Sequence, residues 1–202
     1  MFKKFAAEAL GISDVGVIVP SADYDKVDAD DYLFHEDGEK IFFLIKSKKD
    51  EYCFTNLGLT HVDGDSAVSA KRTIKRYEYG AHRISQVTIE TAGTIDMDVE
   101  LKFHVDNLAF SIDVRKSFIE SLKDIYKALT MISRLQGRDE LARANAQRTL
   151  DAVASMYKLN AAAADDSVVK QYNSLLDALN TAVLDRFAGR DYSAVFEKYI
   201  QA

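Results

Sequence analysis

Apolar residues along this chain repeat first at helical spacing, then at every second position, then at helical spacing again. Phe2 to Leu10 reads as a short amphipathic helix, a loop runs to the only proline, Pro20, and Asp23 to Glu36 reads as an acidic helix closed by the Asp37-Gly38 turn. After that turn the period is two. Ile41, Phe43 and Ile45 share one strand face, Tyr52 and Phe54 share a face of the next, and Lys46 to Asp50 joins them as a hairpin. Leu57 to Val62 predicts a third strand, ended by Asp63-Gly64-Asp65, whose residues tolerate the positive dihedral angles of tight turns. Ala70 to Tyr79 is strand-like but bears cations on both faces, Lys71 and Lys75 on one, Arg72 and Arg76 on the other. Ile84 to Thr91 follows, and Ala92-Gly93-Thr94 turns the chain. Val99, Leu101, Phe103 and Val105 then alternate with Glu100, Lys102 and His104, and Phe110, Ile112 and Val114 complete a last hairpin around Asn107.

From Arg115 the spacing is helical: Phe118, Leu122, Ile125, Leu129 and Ile132 form one stripe, which Gly137 is expected to break. Leu141, Leu150, Val153 and Tyr157 lie on a further helix. Asp165, Asp166 and Ser167 offer caps for another, whose seam of Tyr172, Leu176, Leu179, Val183 and Phe187 faces an alanine-rich partner. A short helix, Tyr192 to Ile200, closes the chain. The pattern predicts an α+β fold: about seven antiparallel strands in a small β-barrel with a helical lid, followed by an α-helical hairpin. The expected divisions are an N-terminal helical segment at 1–38, the barrel with its capping helix at 39–137, and the hairpin at 138–202.

Composition narrows the class. At 202 residues, with 48% hydrophobic and 29% charged positions, the chain has the balance of a globular protein and buries roughly 70% of its unfolded surface. No apolar run approaches the ~20 residues that span a bilayer, so no transmembrane segment is expected. Met1-Phe2-Lys3-Lys4 is followed by an amphipathic stretch and not a signal-peptide core, and a cytoplasmic location follows. The single Cys53 sits in an alternating strand without basic or histidine neighbours, as a packing residue does. The net charge of −6 argues against nucleic acid as a partner. Its distribution says more: residues 20 to 40 hold eight acids against two lysines, whereas 69 to 84 hold Lys71, Arg72, Lys75, Arg76 and Arg83 against Glu78. These patches are matched to attract each other, within a chain or between chains.

No phosphate loop, paired zinc histidines, paired cysteines or nucleophile elbow occurs, and the chain reads as non-enzymatic. His35, His61, His82 and His104 are scattered over separate elements, so no metal or cofactor is expected. Asp96, Asp98 and Glu100 share a strand face suited to a cation, yet the opposite register is apolar, which makes the acidic row the wet face of a half-buried strand. Lys71, Arg72, Lys75 and Arg76 with Tyr77 and Tyr79 are the candidate binding surface. Three uses fit it: a solvated face, a contact with acidic groups of another chain or protein, or a site for anionic lipid or phosphate. The helical seam is the candidate oligomerisation surface, because two helices outside a barrel have little core of their own.

Phe54-Thr55-Asn56, Lys71-Arg72 with Arg76-Tyr77 and Tyr79, Thr91-Ala92-Gly93-Thr94-Ile95-Asp96 and Glu100-Leu101-Lys102-Phe103 together resemble the bacterial pleckstrin-homology-like family, over about residues 10 to 130. The remaining residues look like a helical oligomerisation extension attached to some members. The resemblance implies a bent barrel of two roughly orthogonal sheets plugged by a helix, assembly into homo-oligomers that are often rings, and no enzymatic activity. Members often carry basic residues after the Thr-Asn pair, where this chain has Leu57-Gly58. The function expected is a homo-oligomeric scaffold or interaction module, with peripheral binding of anionic lipid or phosphate through strand 71–76 as the alternative.

Overall fold

The computed structural model describes residues 14–64, 71–91, 98–159, 166–187 and 190–200, with backbone alone at 157–159, 166–168 and 182–187. The expected helix at Phe2 to Leu10, the Ala92-Gly93-Thr94 turn and the side chains of Val183 and Phe187 lie outside the described residues. The chain divides into two compact units, Met1–Ser133 with Asp191–Ala202, and Arg134–Arg190.

In the first unit, β1 (Val17–Ile18), β2 (Ile41–Lys46), β3 (Glu51–Thr55), β4 (Gly58–Gly64) and β5 (Arg72–Glu78) form one antiparallel sheet in that order. A second antiparallel sheet holds β6 (Ile84–Thr91), β7 (Asp98–Val105) and β8 (Leu108–Arg115). The expected barrel of about seven strands is therefore two sheets that do not close on each other, with eight described strands, β1 being the addition. A bridge between Gly16 and Val114 joins them at one corner. It needs glycine, since a Cβ there would lie 2.8 Å from the Ile45 side chain and 3.0 Å from the Asp113 carbonyl.

Alternation builds the core between the sheets. Val99, Leu101, Phe103 and Val105 are buried on β7, and Phe110, Ile112 and Val114 on β8. Phe103 stacks on Phe110 at 5.0 Å, while Phe54 of the other sheet meets Phe103 edge-on at 6.0 Å. Helix α1 (Ile119–Leu159) adds Leu122, Ile125, Leu129 and Ile132, all buried. Each such side chain contributes about 1.5–3 kcal/mol of transfer free energy. Gly58 positions the edge of this core: a Cβ would stand 2.6 Å from the Tyr77 carbonyl oxygen across the β4–β5 pair. Gly58→Ala is expected to cost about 1–3 kcal/mol by forcing backbone apart, read as a lower urea midpoint.

The other face of the five-stranded sheet is also covered. Val19, Val27, Ala29 and Leu33 pack with Leu44, Cys53 and Val62 into a buried cluster. The acidic stretch supplying them is not the single helix expected over Asp23 to Glu36; it forms short 3-10 turns at Ser21–Lys26, Asp28–Tyr32 and His35–Asp37. The reason is local competition. The Asp28 and Ala29 amides donate to the buried Glu51 carboxylate at 3.3 and 2.8 Å, and Val27 and Leu33 take extended backbone to reach the core. Aspartate-rich sequence is a poor helix former and yields to these contacts.

Gly137 does not end α1, which runs on to Leu159. A lone glycine costs ~1 kcal/mol, and strong formers flank it: Arg134, Leu135, Gln136, Arg138, Glu140 and Leu141. The unit boundary accordingly falls inside this helix, between Ser133 and Arg134. The last helix, α3 (Ser193–Tyr199), does not extend the 138–202 region as expected but belongs to the first unit. Its Phe196 is fully buried and stacks on Phe42 at 5.1 Å, and Tyr192 meets Tyr79 edge-on at 5.5 Å.

The second unit comprises α1 from Arg134 onward and α2 (Asp166–Phe187), with an ion pair between Arg190 and Asp139. Among its described residues Gln136 alone is buried. Leu141, Met156, Val169 and Leu175 are 66%, 65%, 50% and 40% exposed.

Candidate functional site

The basic strand is the last strand of its sheet, so its side chains look to the two sheet faces and its outer edge to neither sheet. Ile74 is half-buried against the cluster under the acidic turns, and Arg72 and Arg76 lie on that same face. Arg76 Nη1 donates to both carboxylate oxygens of Glu39 at 3.0 Å. The Glu39 side chain has no exposed area. It also accepts from the Thr55 hydroxyl at 2.6 Å and from the Phe34 amide at 2.9 Å. The guanidinium lies 4.8 Å from the centre of the Phe34 ring and donates from Nε to Glu78 at 3.3 Å. A buried carboxylate with donors on both oxygens is the geometry that makes its charge tolerable out of water.

Further along the strand, Arg72 lies 3.6 Å from Asp28 and Lys75 Nζ donates to Asp63 at 2.8 Å. The Lys75 bond holds the half-buried Asp63 carboxyl below its ordinary value, the hydrogen bond being the main cause. Acidic stretch and basic strand thus meet within one chain, through Arg72 with Asp28 and Arg76 with Glu39. Lys71 and Lys75 are exposed. Tyr77 is half-buried, edge-on to Phe110 at 5.6 Å. Tyr79 is buried beneath α3, and burial pushes its hydroxyl well above the ordinary phenol range. The six candidates therefore do not form one patch: Arg72 and Arg76 are held in ion pairs, Tyr77 packs on Phe110, Tyr79 lies beneath α3, and Lys71 and Lys75 form an exposed flank.

Nothing in the sequence singles out Glu39, one acid among eight between residues 20 and 40. Asn56 is a structural clamp that no local sequence signal marks. Its amide donates to Asp191 at 2.8 Å and to the Gly38 carbonyl at 3.3 Å, while its oxygen accepts from the Lys40 amide at 2.9 Å. Its carbonyl takes the Tyr192 amide at 3.0 Å, so one residue ties the C-terminal segment to the β3–β4 turn. Partial burial opposes ionisation of Asp191, but its bonds from Ser193 and Asn56 prevail and hold its carboxyl below the usual range.

Cys53 is fully buried among aliphatic side chains, and burial raises its thiol well above the ordinary value. Among the described residues no group of three His, Cys, Asp or Glu side chains is placed to hold a metal. Asp96 lies outside them, and Glu100 is engaged by Lys102 at 2.9 Å and by Ser111. Three histidines sit in separate pairs, His35 with Asp30, His61 with Asp50 and His82 with Asp106. In the second unit Tyr172, Leu176 and Leu179 are half-buried at spacings of four and three along α2. No described helix is long and apolar enough to cross a membrane.

Comparison with known proteins agrees with this architecture. The profile described as Bacterial PH domain matches residues 9–133. The Bacillus subtilis (strain 168) protein YvbH, described as uncharacterized, is 48% identical over 203 residues, covering 99% of each chain. YjqA of the same organism, also described as uncharacterized, is 32% identical over 99 residues, covering 48% of this chain and 76% of its own. The crystal structure of a PH domain containing bacterial protein from Exiguobacterium sibiricum 255-15 matches with a TM-score of 0.81 and 41% identity, covering 93% of this chain and 100% of that one. With more than half of its length inside the profile and a relative matched end to end, the chain belongs to the bacterial PH domain family.

Proposed function

We propose that this protein is a cytoplasmic, non-enzymatic, homo-oligomeric scaffold or interaction module whose self-association resides in the Arg134–Arg190 unit. One observation carries the reading: among the described residues of that unit no apolar side chain is buried, although Leu141, Met156, Val169 and Leu175 are at least 40% exposed. Helices of this length draw most of their stability from packing an apolar face, and no described apolar side chain of this unit is buried to provide it. Tyr172, Leu176 and Leu179, half-buried along α2, begin an apolar seam that the sequence continues with Val183 and Phe187, and a second copy of the chain would supply its complement.

Binding of anionic lipid or phosphate through 71–76 is the weaker reading. Such a ligand would have to displace Asp28 from Arg72, Asp63 from Lys75 and the buried Glu39 from Arg76. Light scattering of the full chain tests the preferred reading: a stable integer multiple of the chain mass at micromolar concentration is expected, and a single chain mass overturns it. Flotation with phosphatidylserine vesicles at low salt is expected to leave the protein at the bottom of the gradient.

A further inference from the structure

The acidic stretch from Ser21 to Asp37 covers the outer face of the five-stranded sheet without being a strand of it. Its backbone bonds are local: the Asp23 amide donates to the Pro20 carbonyl at 2.9 Å, Leu33 to Asp30 at 3.3 Å and Asp37 to Phe34 at 3.0 Å. Amides that bond beyond the stretch end on two buried carboxylates. Asp28 and Ala29 donate to Glu51 of β3, which also pairs with Lys46, and Phe34 donates to Glu39, just ahead of β2, which also takes Arg76. The buried apolar side chains the stretch contributes are Val27, Ala29 and Leu33. Leu101, Phe103, Phe110 and Ile112, by contrast, are buried between the two sheets and owe nothing to it.

We propose that residues 21–37 form a strap, latched by Glu51 and Glu39, that opens as one unit while the two sheets stay folded. Segments open locally where few bonds tie them to the rest of the fold, and short 3-10 turns add little rigidity of their own. Opening forfeits the two latches and the contacts of Val27, Ala29 and Leu33, whereas global unfolding forfeits the inter-sheet core as well. It bares Leu44, Cys53, Val62 and Ile74 beside Arg72 and Arg76, so the strap gates an apolar face that carries two cations. Cys53 reports on the motion. Its side chain has no exposed area, and burial, followed by the charges of Glu39, Glu51 and Asp30, raises the thiol well above its ordinary value. The closed protein therefore shields the thiol from a reagent and keeps it protonated.

The test is alkylation of Cys53 by iodoacetamide in the full chain over increasing urea, beside hydrogen exchange at the β7 and β8 amides. The opening that admits the reagent is expected to be about a hundredfold more populated than the one that exchanges Leu101 and Phe103, with a shallower urea slope. Glu51→Gln removes a charge-assisted bond and is expected to raise labelling about tenfold. Ile112→Val is expected to raise exchange on β7 and β8 about fivefold and to leave labelling unchanged, because Ile112 lies in the inter-sheet core. Labelling with the population and slope of global unfolding, a rate unmoved by Glu51→Gln, or labelling that rises with Ile112→Val in step with the β7 amides overturns the proposal. Should Glu51→Gln not fold, the unsubstituted chain's slope and Ile112→Val decide it.

Discussion

Arg76→Met is expected to destabilise the first unit by about 3–5 kcal/mol, the largest loss of any charged residue on the basic strand. The cost arises on the partner. Glu39 has no exposed side-chain area, and without the guanidinium its carboxylate keeps only the Thr55 hydroxyl and the Phe34 amide. Adding Glu39→Gln to Arg76→Met removes the uncompensated charge and is expected to recover part of the loss, a non-additivity that a double-mutant cycle in urea measures directly. Lys75→Met, by contrast, breaks an exposed pair with Asp63 and should cost under about 1 kcal/mol. Equal costs for the two single substitutions would show that Arg76 is a surface residue like Lys75.

Phe196→Ala is expected to cost about 3–5 kcal/mol, as removal of a fully buried ring does when its surroundings relax only in part. Phe196 bears on Phe42 and Tyr79, so the loss falls on the attachment of α3 to the sheet. Hydrogen exchange separates this from general weakening: amides of 191–200 should lose protection ahead of β7 and β8. Protection unchanged at α3 would contradict its assignment to the first unit.

Much of the sheet structure was legible because it follows from alternation alone. On β7, Val99, Leu101, Phe103 and Val105 are buried where every second residue is apolar, and Phe110, Ile112 and Val114 on β8 follow the same rule. The stripe from Leu122 to Ile132 was equally plain. What stayed hidden depends on partners distant in sequence. The acidic stretch looks helical by itself; Glu51, 22 residues from Ala29, takes the amides a helix would need. Gly137 looks like a stop because a glycine's cost is visible and the support of its neighbours is spread over many positions. The Tyr192 to Ile200 helix looks like a continuation of the region before it, because the contacts that return it to Phe42, Asn56 and Tyr79 cross more than a hundred residues.

The basic strand carried a usable clue. Cations on both faces suggested an external surface, yet Ile74 between Arg72 and Arg76 marks one face as turned inward. The eight acids upstream are the reason arginine is tolerated there. Attraction between the two patches is satisfied within the chain at two points, which makes strand 71–76 a support for the acidic layer and shifts the proposed self-association to the helical unit.

That shift is open to one direct measurement: the molar mass by light scattering of the full chain carrying Leu141→Glu and Leu175→Glu. Both positions are exposed in the second unit, so the first unit should keep its thermal midpoint while the assembly loses its apolar contact. The expected result is a fall in mass, down to a single chain if these helices hold the assembly alone. An unaltered oligomer mass would contradict the assignment and return the interface to the first unit.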